Sequence, residues 1–218
     1  MSLLKALNQS SVRSRDPFLH WQIDRPFTPA ILREINSTFI PDVRRDYDGT
    51  RAGDAVTAEG TVKTRCYVTT DNIHEFPAIA GLVDELLSME TVERLEDMLE
   101  RKMRGNYLRV EVICDRQGFW LAPHKDIKEK LMSMLLYSNP CGESENLGTD
   151  LYDMDLKLVK TMPYRHNYGY MFAPAHDTWH GLEKKEIQQE RRSMLINYVT
   201  FPTCWQMPHG RAAVRRAA

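Results

Sequence analysis

The chain has 218 residues, 42% of them hydrophobic, enough for one domain with its own core. Its 29 basic and 30 acidic residues nearly cancel, to −1, which argues against a protein whose whole surface binds nucleic acid or another polyanion. No stretch approaches the ~18 apolar residues of a membrane span, and Lys5 interrupts MSLLKAL before a secretory core can form, so a soluble cytoplasmic protein is expected.

Residues 1–26 read as polar and irregular. Thr28-Pro29 has the form of an N-cap followed by proline at the first helical position, and a short helix carrying Ile31, Leu32 and Ile35 should end before Pro41. Residues 42–64, rich in Asp, Gly, Thr and Arg, read as loop, and RCYVTT (65–70) as strand. Between Pro77 and Met103, Ile79, Leu82, Val83, Leu86 and Leu87 repeat at helical spacing, then Val92, Leu95, Met98 and Leu99 repeat it after a break near Ser88. These stripes are core-facing surfaces.

After Gly105 the texture changes. Strands are expected at Tyr107–Cys114, Leu131–Tyr137, Leu156–Thr161, Tyr168–Phe172 and Ser193–Thr200, with a turn at Asp115-Arg116-Gln117-Gly118. The segment 143–155 holds Glu143, Glu145, Asp150, Asp153 and Asp155 and no basic residue; it reads as a solvated loop, with a substrate-selecting lid as the alternative. Cys66, Cys114, Cys141 and Cys204 are far apart and form no CxxC, so free thiols are expected, with Cys114 in the core. The tail after Pro208 carries Arg211, Arg215 and Arg216. Helices first and strands later fit an α+β fold of one domain: support over 1–104, a β-core over 105–200 and a tail over 201–218.

The chemistry concentrates in His124, Asp126, His180 and Arg191. Residues two apart at a strand's end point to one side, so His124 and Asp126 can reach the same ion. A second imidazole, His180, lies 54 residues on. Two imidazoles and a carboxylate on one face form the ligand triad of non-haem Fe(II) oxygenases, with positions left open for co-substrate and dioxygen. Arg191 opens an apolar strand with Ser193 on the same face; its forked guanidinium suits a buried carboxylate, and the serine hydroxyl can donate to it.

The order HxD…H…RxS resembles the Fe(II)/2-oxoglutarate-dependent oxygenase superfamily over about residues 105–200, and within it the prolyl-hydroxylase-like branch. In that branch a tyrosine shortly before an asparagine contacts the far carboxylate of 2-oxoglutarate; LLYSN (135–139) matches, which assigns Tyr137 this role by resemblance. GTDLYD (148–153) looks like a form of the branch's GGxLxLY segment that lacks the second glycine. The resemblance implies a double-stranded β-helix (jelly-roll) core buttressed by the N-terminal helices, with Fe(II) on His124, Asp126 and His180. It implies 2-oxoglutarate held by Arg191, Ser193 and Tyr137. It also implies a reaction in which dioxygen and 2-oxoglutarate give succinate, carbon dioxide and a hydroxylated small molecule or side chain.

Several residues compete for these roles. His176 and His180 are four apart, which on a helix would suit zinc, but the preceding strand and Pro174 argue against a helix there. Arg192 lies on the strand face opposite Arg191, and the RxS pattern selects Arg191. Lys125 reads as solvated, Arg165 and His166 as surface, Phe119, Trp120 and Trp179 as core or pocket wall, and His20, His74 and His209 as unconnected to a site. A non-catalytic cupin-like binding module and a zinc isomerase or hydrolase are the alternative functions; only the oxygenase needs a carboxylate clamp opposite the metal. Because imidazole must be neutral to bind metal, affinity is expected to fall below about pH 6.5.

Overall fold

The computed structural model describes residues 2–43 and 46–210. The arginine tail (Arg211, Arg215, Arg216) lies outside the described residues. The chain forms α1 (Leu3–Gln9), β1 (Ser11–Ser14), β2 (His20–Asp24), α2 (Pro29–Ser37), β3 (Asp54–Thr57), β4 (Gly60–Lys63), β5 (Arg65–Val68), α3 (Pro77–Leu87) and α4 (Met89–Leu99). There follow β6 (Tyr107–Asp115), β7 (Leu121–His124), β8 (Lys130–Tyr137), β9 (Asp150–Tyr152), β10 (Leu158–Thr161), β11 (Tyr168–Phe172), β12 (His180–Leu182), β13 (Arg191–Val199) and β14 (Trp205–Gln206).

The helices start and stop where local chemistry says they should. The Thr28 hydroxyl accepts from the Ile31 N–H, and Pro29 occupies the first turn of α2. Ser88 separates α3 from α4, donating to the Glu85 carbonyl and accepting from the Thr91 N–H. No described helix is long and apolar enough to cross a membrane.

The strands form two larger antiparallel sheets. One has the order β1-β2-β11-β8-β13-β6-β14, with β5 also on β6; the other has the order β10-β9-β12-β7. All four helices contribute to a core on one face of the large sheet, where Val110, Val112, Met132, Met134, Leu136, Met194 and Ile196 are buried. Two hydrogen bonds tie this layer down: the Trp21 indole donates to the Met98 carbonyl, and the Tyr198 hydroxyl donates to the Leu86 carbonyl. The other face meets the small sheet across an aromatic core that includes Phe18, Phe119, Tyr137, Tyr164, Tyr170 and Phe172. This is an α+β fold with a double-stranded β-helix core and helices behind it.

Two segments differ from the sequence reading. Residues 1–26, read as irregular, contain α1, β1 and β2, and β2 pairs with β11 through Ile23 opposite Gly169. Its alternation is short, with only Trp21 and Ile23 facing the helix-side core and His20, Gln22 and Asp24 on the other face, too few apolar positions to stand out in a polar segment. Residues 42–64, read as loop, contain the β3–β4 hairpin, which is nearly bare of buried side chains: Ala55 is buried but Val56 is exposed. The N-terminal half therefore supplies β1, β2 and β5 to the large sheet as well as helices.

Candidate active site

β7 and β12 are neighbours in the small sheet, and His124 stands opposite His180 in register. Their ring centroids are 4.4 Å apart. β7 ends at His124, and Asp126 follows two residues later on the same side. One ligand atom from each of His124, Asp126 and His180 lies within 4.8 Å of the other two, a group able to hold a metal ion.

Each imidazole is oriented by a backbone carbonyl. Nδ1 of His124 lies 2.9 Å from the Ala122 oxygen, and Nδ1 of His180 lies 2.9 Å from the Thr178 oxygen. A carbonyl only accepts, so the ring proton belongs on Nδ1 and the Nε2 lone pair is left for a cation. The Asp126 carboxylate is gripped on both oxygens, by Lys130 Nζ at 2.5 Å and by the Ser133 hydroxyl at 2.5 Å. Burial acts to raise the Asp126 pKa, but Lys130, His180 and the Ser133 hydrogen bond outweigh it and hold the group below the usual carboxylate range. Burial lowers both histidines, His180 to about 4, against smaller opposing effects of Asp126 and the backbone carbonyls. His180 is thus neutral well below pH 6.5 and His124 is shifted in the same direction, so proton competition for this site sets in at lower pH than unperturbed histidines would give. The reason is burial, which spacing along the chain does not report.

A cavity of about 70 Å³ lies over these ligands, with Ser133, Thr149, Tyr170 and Arg191 on its wall. β13 alternates: Met194, Ile196 and Tyr198 enter the helix-side core, and Arg191 and Leu195 line the cavity. Arg192 goes with the first set; its guanidinium donates to the Ile35 and Thr38 carbonyls and pairs with Glu190. Arg191 is 2% exposed. It donates to the Leu147 carbonyl and to Asp115, each at 2.6 Å, and lies beside the rings of Tyr137 and Tyr164 at 5.4 and 5.6 Å. Ser193 is fully buried opposite Tyr137, and its hydroxyl has no hydrogen-bond partner among the described residues.

Tyr137 sits beside Arg191, but its hydroxyl is taken by Thr149, whose N–H donates to it at 3.0 Å and whose hydroxyl is 2.9 Å away. Thr149 occupies the place of the missing second glycine. Gly148 before it is obligatory, since a Cβ there would fall 1.4 Å from the Met162 carbonyl oxygen. Thr149 and Tyr170 line the cavity with Arg191, and Tyr137 does not.

The rivals fall elsewhere. His176 is exposed in an irregular segment. Lys125 is exposed and stacks on Trp179 at 4.7 Å. Trp120 donates to the Tyr47 carbonyl, Phe119 is buried, and Arg165, His166, His74 and His209 are exposed. His20 is fully buried, its Nδ1 2.9 Å from the Phe18 carbonyl oxygen. All four cysteines are free, and Cys114 is buried with its pKa pushed up to about 12, first by burial and then by Glu190. The acidic segment is more than a solvated loop. Asp150 is fully buried and accepts from Thr161, the Glu183 N–H and Lys185, and Glu143 accepts from the Gln188 and Gln189 N–H groups.

Sequence reasoning missed Arg51, Asp115, Lys130, Ser133 and Thr149. Asp115 was read as part of a turn; it ends β6 buried, bonded to Arg191 and, at 3.2 and 3.3 Å, to Arg51. Burial acts to raise its pKa, and the two guanidinium groups more than reverse this. The signal was present in RVEVICD (109–115), where Arg109, Glu111 and Asp115 recur on one face of an otherwise apolar strand.

No family model matches the chain, and no curated protein matches it. Solved structures do. A Pseudomonas putida prolyl-4-hydroxylase is 14% identical, with 92% of this chain and 100% of that one covered at a TM-score of 0.57. A Trichoplax adhaerens prolyl hydroxylase, solved with a hypoxia inducible factor peptide fragment, is 16% identical over 91% of this chain and 87% of that one, at 0.55. A Phytophthora capsici prolyl 4-hydroxylase is 13% identical over 93% of this chain and 64% of that one, at 0.58. The chain therefore folds as these prolyl hydroxylases do, in agreement with the branch its motifs resemble.

Proposed function

We propose that the protein is a non-haem Fe(II)- and 2-oxoglutarate-dependent dioxygenase that hydroxylates its substrate. One observation carries the reading: a two-histidine, one-carboxylate group and a buried arginine share a single cavity. Two imidazoles and one carboxylate suit Fe(II) and leave its remaining positions free. The buried Arg191 and the unpartnered Ser193 hydroxyl suit the far carboxylate of a 2-oxo acid, which neither a zinc hydrolase nor a sugar-binding module requires. The prolyl-hydroxylase fold supports the same assignment.

When bound, Fe(II) and 2-oxoglutarate would supply the oxidising chemistry that turns a substrate C–H, with dioxygen, into an alcohol plus succinate and carbon dioxide. The residues of this chain supply position. His124 and His180 are locked by their carbonyl partners, so both present Nε2 without reorganisation. Ser133 and Lys130 fix the rotamer of Asp126. Asp115 and the Leu147 carbonyl hold the Arg191 fork in place. Ile113, Leu135, Phe172 and Leu182 wall the cavity and keep bulk water from the reacting atoms.

The test is Fe(II)-dependent release of succinate from 2-oxoglutarate, measured with or without substrate. Asp126→Ala should abolish it, and Arg191→Ala should weaken 2-oxoglutarate binding by about 2–5 kcal/mol, the range for one partner of a buried charge pair. Wild-type behaviour in both variants contradicts the assignment.

A further inference from the structure

A second, wider pocket of about 480 Å³ opens to solvent beside His124 and Asp126, and its wall carries Arg51, Arg65, Tyr67, Arg109, Lys125 and Lys130. Among the described residues of that wall, Asp126 is the only acidic one. Behind it, Glu111 is fully buried between two arginines: Arg65 Nη1 is 2.6 Å from one oxygen, and Arg109 Nε is 2.8 Å from the other. The second contact is a charge contact without hydrogen-bond alignment, since neither of its atoms counts a hydrogen-bond partner. Arg109 also donates to the Asn197 side-chain oxygen, and the buried Asn197 amide nitrogen has no partner among the described residues.

The same arrangement occurs twice. Asp115 lies between Arg51 and Arg191, as Glu111 lies between Arg65 and Arg109. Each carboxylate neutralises one guanidinium and leaves one positive charge over. With the Lys130–Asp126 pair balanced and Lys125 at the rim, six cations face three carboxylates, in a chain whose net charge is −1. Structural pairing alone would need one arginine per carboxylate. Arg191 belongs to the inner cavity, whereas Arg65 and Arg109 line the outer pocket and not the inner cavity.

We propose that this outer pocket binds the primary substrate through an oxyanion, so that the molecule hydroxylated carries a carboxylate or phosphate group held by Arg65, Arg109 and Lys125. The proposal rests on the oxygenase reading of the adjacent ligands and names the substrate class for it. Guanidinium forks recognise both oxyanions bidentately, and clustered like charge beside low-dielectric walls raises the local concentration of anionic ligands. Tyr67 and Leu195 complete the wall with apolar surface for the rest of the molecule.

The test uses two probes, methylphosphonate and propionate, with Mn(II)-loaded protein saturated with 2-oxoglutarate. Nuclear relaxation of each probe reports its approach to the manganese. At least one probe should show accelerated relaxation that declines with added salt, and the stronger response tells phosphate from carboxylate. Arg109→Gln, which leaves Glu111 paired with Arg65, and Lys125→Glu, an exposed change that spares folding, should each weaken binding at least about tenfold. No acceleration in the wild type, or equal acceleration in wild type and both variants, overturns the proposal. If the protein takes up no Mn(II), the oxygenase reading fails separately; calorimetric titration of the two probes into metal-free protein then decides the anion site, with binding lost in both variants supporting it and no binding refuting it.

Discussion

The two faces of the large sheet are made from the same strands and do opposite work. On β6, Leu108, Val110, Val112 and Cys114 face the helices, and Arg109, Glu111, Ile113 and Asp115 alternate with them on the side of the small sheet. On β8, Met132, Met134 and Leu136 face the helices, while Ser133 and Leu135 line the cavity. One face is apolar and sealed apart from Arg192 at its edge; the other holds buried carboxylates, guanidinium groups and a hydroxyl without a partner among the described residues. The sealed face gains its stability from area removed from water, about 1.5–3 kcal/mol for each fully buried large apolar side chain. The charged face gives up part of that gain to keep polar groups aimed at ligands.

Substitutions on the two faces should therefore separate stability from function. The largest effect is expected inside. Asp115→Ala leaves Arg51 and Arg191 without their shared carboxylate, and chemical denaturation should show a loss of about 3–5 kcal/mol together with weakened 2-oxoglutarate binding. Leu136→Ala, on the sealed face, should cost about 2–5 kcal/mol in the same assay yet leave the 2-oxoglutarate Kd unchanged. A change in Kd comparable to that of Arg191→Ala would show that the faces are not independent.

Acid should act through the buried histidines. In metal-free protein the unfolded chain takes up protons near pH 6.5, while folded His180 stays neutral to about 4. The unfolded state binds more protons between these values, so stability falls as pH drops through that window; below it the histidine contribution is constant and the depressed Asp115 and Asp126 carboxylates continue the loss. His180 alone accounts for roughly 3 kcal/mol, and His124 and His20 add in the same direction. Urea midpoints measured at pH 7.5, 5.5 and 4.5 would show the slope; a flat profile would mean the rings titrate normally. The smallest effect belongs to Ser193→Ala, which removes a hydroxyl with no partner among the described residues. Stability should stay level or rise slightly, while 2-oxoglutarate binding weakens several-fold, about 1 kcal/mol.

What could be read from the sequence was local. Helical repeats placed α3 and α4, Thr28-Pro29 placed the start of α2, and two-residue spacing placed Asp126 with His124 and Ser193 with Arg191. What escaped depends on distant pairing. Arg51 and Asp115 are 64 residues apart and Arg191 and Asp115 are 76 apart; the charged face of β6 marks Asp115, but no pattern in the sequence marks its partners. β2 was hidden because its alternation spans only two apolar residues, Trp21 and Ile23, in a polar segment. The role of Thr149 could not be read because it depends on the tertiary position of the Tyr137 hydroxyl.

The account stands on cooperation between the ligand triad and the buried arginine. Calorimetric titration of 2-oxoglutarate into metal-free, Mn(II)-loaded and Mn(II)-loaded Arg191→Ala protein measures it directly. One equivalent should bind tightly to the metal-loaded wild type and only weakly to the other two; equal affinity in all three would contradict a shared site.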